Sequence, residues 1–204
     1  MLEQKMPILE TERLILRPFT KDDTESYFDV YWQIAEGLDM EQFTPNARPN
    51  IDDIREENEY YLNFANYGFL RPFGRWMVVL KSEQQNIGTC LLIPHLFTPE
   101  EVTLCAEPER HRPQFGAFEI LIGWAIIRSY RGYGYATEAA RELIVYGFHT
   151  VKLHRIVSWT DPENTASLNV MRKVGMQIVS PLHSSRVISM VEGDYGMKID
   201  ESQS

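Results

Sequence analysis

Ile122-Gly-Trp-Ala-Ile-Ile-Arg-Ser-Tyr-Arg-Gly-Tyr-Gly-Tyr-Ala-Thr-Glu-Ala139 is the stretch on which the fold turns. Its first part completes a nearly continuous apolar run from Ala117 to Ile127, the pattern of a strand buried on both faces. Gly132 and Gly134 follow, and then a helical pattern from Tyr135 to His149. Strand, sharp glycine turn and helix follow one another directly. Small residues let a backbone turn tightly and come close to a ligand. The first N–H groups of the helix have no partner within it and face the positive end of its dipole. A phosphate or pyrophosphate fits there, although the two glycines by themselves more often mark a tight turn that holds no ligand. The common nucleotide patterns are excluded. No G-x-x-x-x-G-K-S/T occurs, and Gly132, Gly134 and Ala136 lack the third glycine of a dinucleotide fingerprint, with no βαβ unit ahead of them.

Toward the N-terminus, Thr11 to Arg17 alternates Leu14 and Leu16 with other residues and stops at Pro18, which predicts a first strand. Thr20 and Asp23 have the spacing of a helix start, and Tyr27, Phe28, Tyr31 and Trp32 recur at helical intervals. A second helix is expected over Asp52 to Ala65, then strands over Arg75 to Lys81 and Asn86 to Ile93. The segment from about 94 to 116, with Pro94, Pro99, Pro108 and Pro113, reads as an irregular insertion. Beyond the central stretch come a strand over Leu153 to Thr160, a short helix over Thr165 to Val174 closed by Gly175, and strands near Met176–Ser180 and Val187–Ile199. The order β-α-α-β-β-β-α-β-α-β-β is that of a mixed α/β domain.

The chain has 204 residues, 44% of them hydrophobic, with no Ser/Gly/Pro-rich linker or solenoid repeat, so a single domain over 1–204 is expected. A formal charge of −9 argues against nucleic-acid binding and would suit a cationic partner such as an amine, though it equally serves solubility. The charged N-terminus lacks a signal-peptide run, and Ile120–Ile127 is too short to span a membrane. With only Cys90 and Cys105, the chain reads as a cytoplasmic protein with reduced thiols.

Arg131-Gly-Tyr-Gly-Tyr-Ala136 resembles the acetyl-CoA motif of the GNAT superfamily of N-acetyltransferases, commonly R-G-x-G-x-G/A. The branch that acetylates ribosomal-protein N-termini (RimJ/RimL-like) is more similar still. Its opening strand resembles Thr11-Glu-Arg-Leu-Ile-Leu-Arg-Pro18 with Asp23, and its phosphate-loop helix resembles Tyr135-Ala-Thr-Glu-Ala139. Its D-P-x-N-x-x-S and K-x-G-F segments resemble Asp161-Pro-Glu-Asn164 with Ser167 and Lys173-Val-Gly-Met176. The resemblance implies an α/β (α+β) GNAT fold: a mixed, mostly antiparallel, splayed sheet flanked by helices. It implies acetyl-CoA as co-substrate, with backbone groups of Trp124, Ile126 and Ile127 on the pantetheine arm. Arg131, Gly132, Tyr133, Gly134, Tyr135 and Ala136 would hold the pyrophosphate, and Asn164, also suited to an N-cap, would contact the cofactor.

Acetyl transfer by direct attack in a ternary complex requires an amine that has lost its proton, and donors for the developing oxyanion. Glu119 is the carboxylate on the apolar strand and the candidate base or water-positioner, with solvent exposure or pairing to an arginine as its structural alternative. The tyrosine that many family members use as general acid aligns with Met171, which makes Ser167, one turn earlier, the substitute. Glu138, in the first helical turn, reads as complementing the dipole rather than as catalytic. Cys90, His95, Cys105 and His111 match no metal-site spacing, so no metal is expected. His149 reads as a surface residue at a helix end, and His111 as a further base if the insertion borders the acceptor. The aromatics Tyr27, Phe28, Tyr31, Trp32, Tyr60, Tyr61 and Phe64 suit core packing or an acceptor groove. An acceptor at a protein N-terminus or on a small molecule fits, and so does a non-catalytic acyl-CoA-binding module. Monomer and homodimer both stay open.

Overall fold

A computed structural model describes residues 6–35, 50–66, 72–97, 117–179 and 187–193. They gather into two compact units, Met1–Pro94 with Leu121–Leu143, and His95–Ile120 with Ile144–Ser204. Strands β1 (Leu9–Glu10), β2 (Leu14–Pro18), β3 (Gly74–Leu80), β4 (Gln85–Phe97) and β5 (Ala117–Ile126) follow one another in that order, β4 and β5 passing through both units. The first strand predicted from Thr11 begins at Leu14 instead. Thr11 folds back on Leu14, its N–H donating to the Leu14 carbonyl at 3.0 Å and its hydroxyl accepting the Leu14 N–H at 2.9 Å. Thr11 to Arg13 thus form the turn of a hairpin in which Leu9 faces Leu16.

In the first unit, Leu14 and Leu16 are fully buried and β3 is buried along its whole length. The β2–β3 and β3–β4 pairs are antiparallel, with Leu14 opposite Leu80 and Trp76 opposite Cys90, a fully buried free thiol that burial pushes well above its ordinary pKa. Helices α1 (Thr24–Ala35) and α2 (Ile51–Asn66) lay Tyr27, Val30 and Ile54 against Phe19, Met77, Val79 and Ile127. Each such side chain removed from water contributes about 1.5–3 kcal/mol. Tyr27 meets Phe19 edge-on at 5.0 Å and carries the Arg75 guanidinium 4.9 Å above its ring. Burial lowers the Arg75 pKa to about 10. Core packing therefore claims Tyr27, while Tyr60 is 61% exposed and the side chains of Tyr61 and Phe64 lie outside the described residues.

At the start of α1, Asp23 accepts hydrogen bonds from the Thr20 N–H and hydroxyl at 2.7 and 2.8 Å. It also takes both terminal nitrogens of Arg17 at 2.7 Å. Burial alone would raise the Asp23 pKa. The Arg17 and Thr20 hydrogen bonds, with the Arg17 charge, outweigh it and hold the carboxyl below its ordinary value.

In the second unit the order is β5, β6 (Arg155–Thr160), β8 (Val187–Glu192), β7 (Gln177–Val179), with β8 antiparallel to both its neighbours. Helix α3 (Tyr135–Val145) begins in the first unit and passes into a π-helical turn at Tyr146–Val151, which closes on left-handed Lys152. The α-helix predicted to reach His149 therefore ends four residues short, its continuation wound more widely. Helix α4 (Thr165–Lys173) buries Leu168 and Met171, and Gly175, at φ +81°, ends it as the sequence predicts.

Two further expectations are corrected. Strand β4 continues through Pro94 to Phe97, so the irregular segment does not begin at Pro94; residues 98–116 lie outside the described residues. Strand β5 is not buried on both faces: Ile122 and Ile126 are buried, the residues between them are half-buried, and Phe118 is 77% exposed. An apolar run records composition, whereas burial depends on what covers each face.

Candidate active site

Strand β5 ends within the first unit in a short chain of turns. The Ile127 N–H donates to the Ile87 carbonyl at 3.0 Å, and a single 3-10 turn, Arg128–Tyr130, follows. Gly132 and Gly134 then both adopt φ +87°, a left-handed conformation that costs a side-chain-bearing residue about 1–2 kcal/mol. The helical ladder of α3 opens with the Glu138 N–H bonded to the Gly134 carbonyl at 3.0 Å, so the N–H groups of Tyr135, Ala136 and Thr137 precede it. A Cβ added at Gly132 would meet nothing within 4 Å. The turn leaves open space beside Gly132 and sets the first N–H groups of the helix at the positive end of its dipole, which suits the pyrophosphate of an acyl coenzyme.

Two arginines hold this turn. Arg131 directs its side chain inward, Nε donating to the Ile126 carbonyl at 2.8 Å and Nη2 to the Ile34 carbonyl at 3.4 Å. Burial lowers its pKa. The second arginine, Arg13 in the hairpin turn, was not singled out from the sequence. Its Nη1 donates to the Tyr133 carbonyl at 3.0 Å, its Nε and Nη2 reach Glu138 Oε2 at 2.7 and 2.6 Å, and its guanidinium lies 4.6 Å over the Tyr135 ring. Glu138 also accepts the Arg13 N–H at 3.0 Å and the Thr11 hydroxyl. Burial would raise the Glu138 pKa, but the bonds from Thr11 and Arg13 and the Arg13 charge bring it below its ordinary value. Glu138 is thus the latch between α3 and the hairpin turn. Tyr133 stacks on Tyr135, with ring centres 5.9 Å apart. Of the backbone groups expected to meet pantetheine, the Ile126 carbonyl and the Ile127 N–H are already engaged within the protein, although a carbonyl oxygen keeps a second lone pair.

The remaining sequence candidates belong to the second unit. Glu119 pairs with Arg155, whose Nε donates to Glu119 Oε2 at 3.2 Å and whose Nη2 bonds Oε1. Arginine pairing, the structural alternative, is therefore realised, and it fixes the orientation of the carboxylate. Asn164 caps α4, its Oδ1 accepting the Ser167 N–H at 3.0 Å. Met171 is 1% exposed and belongs to the core. Tyr146 is buried, and burial pushes its phenol up to about 12. His95 packs edge-on against Phe97 at 5.0 Å. Among the described residues no group of three His, Cys, Asp or Glu could hold a metal; Cys105 and His111 lie outside them. No described helix is long and apolar enough to cross a membrane.

A mixed, mostly antiparallel sheet with a strand–R-G-x-G-x-A–helix turn is the architecture expected of an acyl-coenzyme-dependent acyltransferase. Residues 13–177 match the family model of the acetyltransferase (GNAT) domain, and the chain belongs to that family as an acetyl-CoA-dependent N-acetyltransferase. It is 44% identical over 175 residues to the uncharacterized N-acetyltransferase YnaD of Bacillus subtilis, a match that covers 83% of this chain and 82% of that one. Among solved structures, the acetyltransferase from Agrobacterium tumefaciens superposes with a TM-score of 0.66 at 24% identity, covering 94% of this chain and 98% of that chain. RimL, a ribosomal alpha-N-protein acetyltransferase in complex with coenzyme A, superposes with a TM-score of 0.68 at 12% identity, covering 91% and 98%.

Proposed function

We propose that the chain, acting as one domain, transfers the acetyl group of acetyl-CoA to the primary amine of a protein N-terminus or a small molecule by direct attack in a ternary complex. The observation that carries this reading is the open turn at 131–136, with both glycines left-handed and a helix N-terminus behind them. In this reading the N–H groups of residues 132–136 bind the pyrophosphate, and the backbone of Trp124, Ile126 and Ile127 lies along the pantetheine arm. Asn164 bonds the cofactor with whatever capacity its capping role leaves. Glu119, oriented by Arg155, accepts the ammonium proton directly or through a water. Ser167 relays a proton to the departing thiolate, its hydroxyl taking one from water as it gives one up. Resemblance to the ribosomal-protein branch favours an N-terminal amine, and a net charge of −9 suits a cationic acceptor.

The test is thiol release from acetyl-CoA against a panel of amines and N-terminal peptides, with Glu119→Gln beside the wild type. Turnover with at least one acceptor is expected. Loss of the base should lower kcat by about 10²-fold or more and leave coenzyme affinity nearly unchanged. Coenzyme binding without turnover on a broad panel would argue against transfer to these amines. An unchanged kcat in Glu119→Gln would remove Glu119 from the mechanism.

A further inference from the structure

The apex of the phosphate turn is exposed: Tyr133 is 63% accessible, and a side chain at Gly132 would stand in open space. Glycines on either side of Tyr133 leave its flanking peptides free to rotate, because neither glycine has a Cβ to restrict it. Arg131 secures the entry to the turn, through Ile126 and Ile34. Arg13 reaches the apex and bonds the Tyr133 carbonyl. That carbonyl and the Gly134 N–H belong to one peptide plane. With no cis bond among the described residues they point in opposite directions, so fixing the first toward Arg13 fixes the second away from it. The guanidinium is itself held in place by Glu138, by its place over the Tyr135 ring, and by the Glu138 bonds to Thr11 and to the Arg13 N–H.

We propose that Arg13 is a positioning residue for the coenzyme's pyrophosphate, acting by holding the Tyr133–Gly134 peptide so that the Gly134 N–H is presented to the anion. The inference rests on the acyl-CoA reading of the turn. Its charge is matched by Glu138, so Arg13 acts through geometry rather than as a cation on the phosphate. A planar fork that bonds a carboxylate and a carbonyl at once is available to arginine and not to lysine.

The experiment measures the dissociation constants of coenzyme A and of pantetheine, which has the same arm without pyrophosphate or nucleotide. The proteins are the wild-type chain, Arg13→Ala, Arg13→Gln and Arg13→Lys, each held well below its melting temperature. Arg13→Gln keeps most of the aliphatic stem and guards against simple unfolding. Arg13→Ala and Arg13→Gln should bind coenzyme A about tenfold more weakly, the loss of one charge-assisted hydrogen-bond set, with pantetheine binding unchanged. Arg13→Lys should not recover the loss. Equal weakening toward both ligands would mark general loosening and overturn the proposal. So would full affinity in Arg13→Lys, or unchanged affinity in all variants. A wild-type chain that fails to bind coenzyme A would instead overturn the reading of the turn itself.

Discussion

Gly132 and Gly134 share one backbone conformation, but their surroundings differ, and that difference separates stability from function. A methyl at Gly132 would meet no atom within 4 Å, whereas the nearest neighbour of one at Gly134 is an Arg13 nitrogen at 3.5 Å. Gly132→Ala should therefore cost only the left-handed conformation, about 1–2 kcal/mol, seen as a Tm lowered by a few degrees. The Gly132 N–H is among those proposed to bind the pyrophosphate, so the strained backbone should raise KM for acetyl-CoA about tenfold or more while kcat changes little; steady-state kinetics on both substrates check this. Gly88 shows the opposite case, since a Cβ there would fall 2.2 Å from the Ala125 carbonyl and force β4 and β5 apart. The glycine turn was legible in the sequence because Gly132 and Gly134 are close together between an apolar strand and a helix. Arg13 was not, because its partner Glu138 lies 125 residues away and nothing local to Thr11-Glu-Arg13 records that contact.

Among the elements, α1 depends most on ionisation. Asp23 holds Thr20 and Arg17 together at its start, with a carboxyl pKa below the ordinary value. A depressed carboxyl contributes stability that is present above its unfolded pKa, about 4, and lost as pH falls through the folded value. The unfolding free energy of the wild type, from urea titration, should accordingly decline on acidification below about pH 4–5, whereas that of Asp23→Asn should start about 1–3 kcal/mol lower and fall less over the same window. Equal acid sensitivity in the two proteins would place the titration elsewhere. Element order could be read from the sequence because periodicity is a local property: Leu14 and Leu16 alternate, and Tyr27 and Tyr31 recur one turn apart. Boundaries were harder. Pro94 suggested an end to β4, which runs on to Phe97, and the wide turn after Val145 keeps a helical pattern in the sequence while changing its winding. The apolar composition of β5 said nothing of what would cover it.

At the scale of the whole molecule, the family match over residues 13–177 runs through both compact units, and β4, β5 and α3 each cross the boundary between them. Elements continuous in the chain through both units favour unfolding as one. Scanning calorimetry should therefore show one cooperative transition, and two resolved transitions would refute action as a single domain. Coenzyme A at a hundred times its Kd should raise stability by about 2.7 kcal/mol, or about 5–10 °C in Tm. The burial of Cys90 has a chemical consequence of another kind. Oxidants and alkylating agents attack thiolates they can reach, and Cys90 is both enclosed by the sheet and kept protonated there. While the sheet stays closed the Cys90 thiol should resist alkylation, and its labelling should begin only when β3 and β4 come apart.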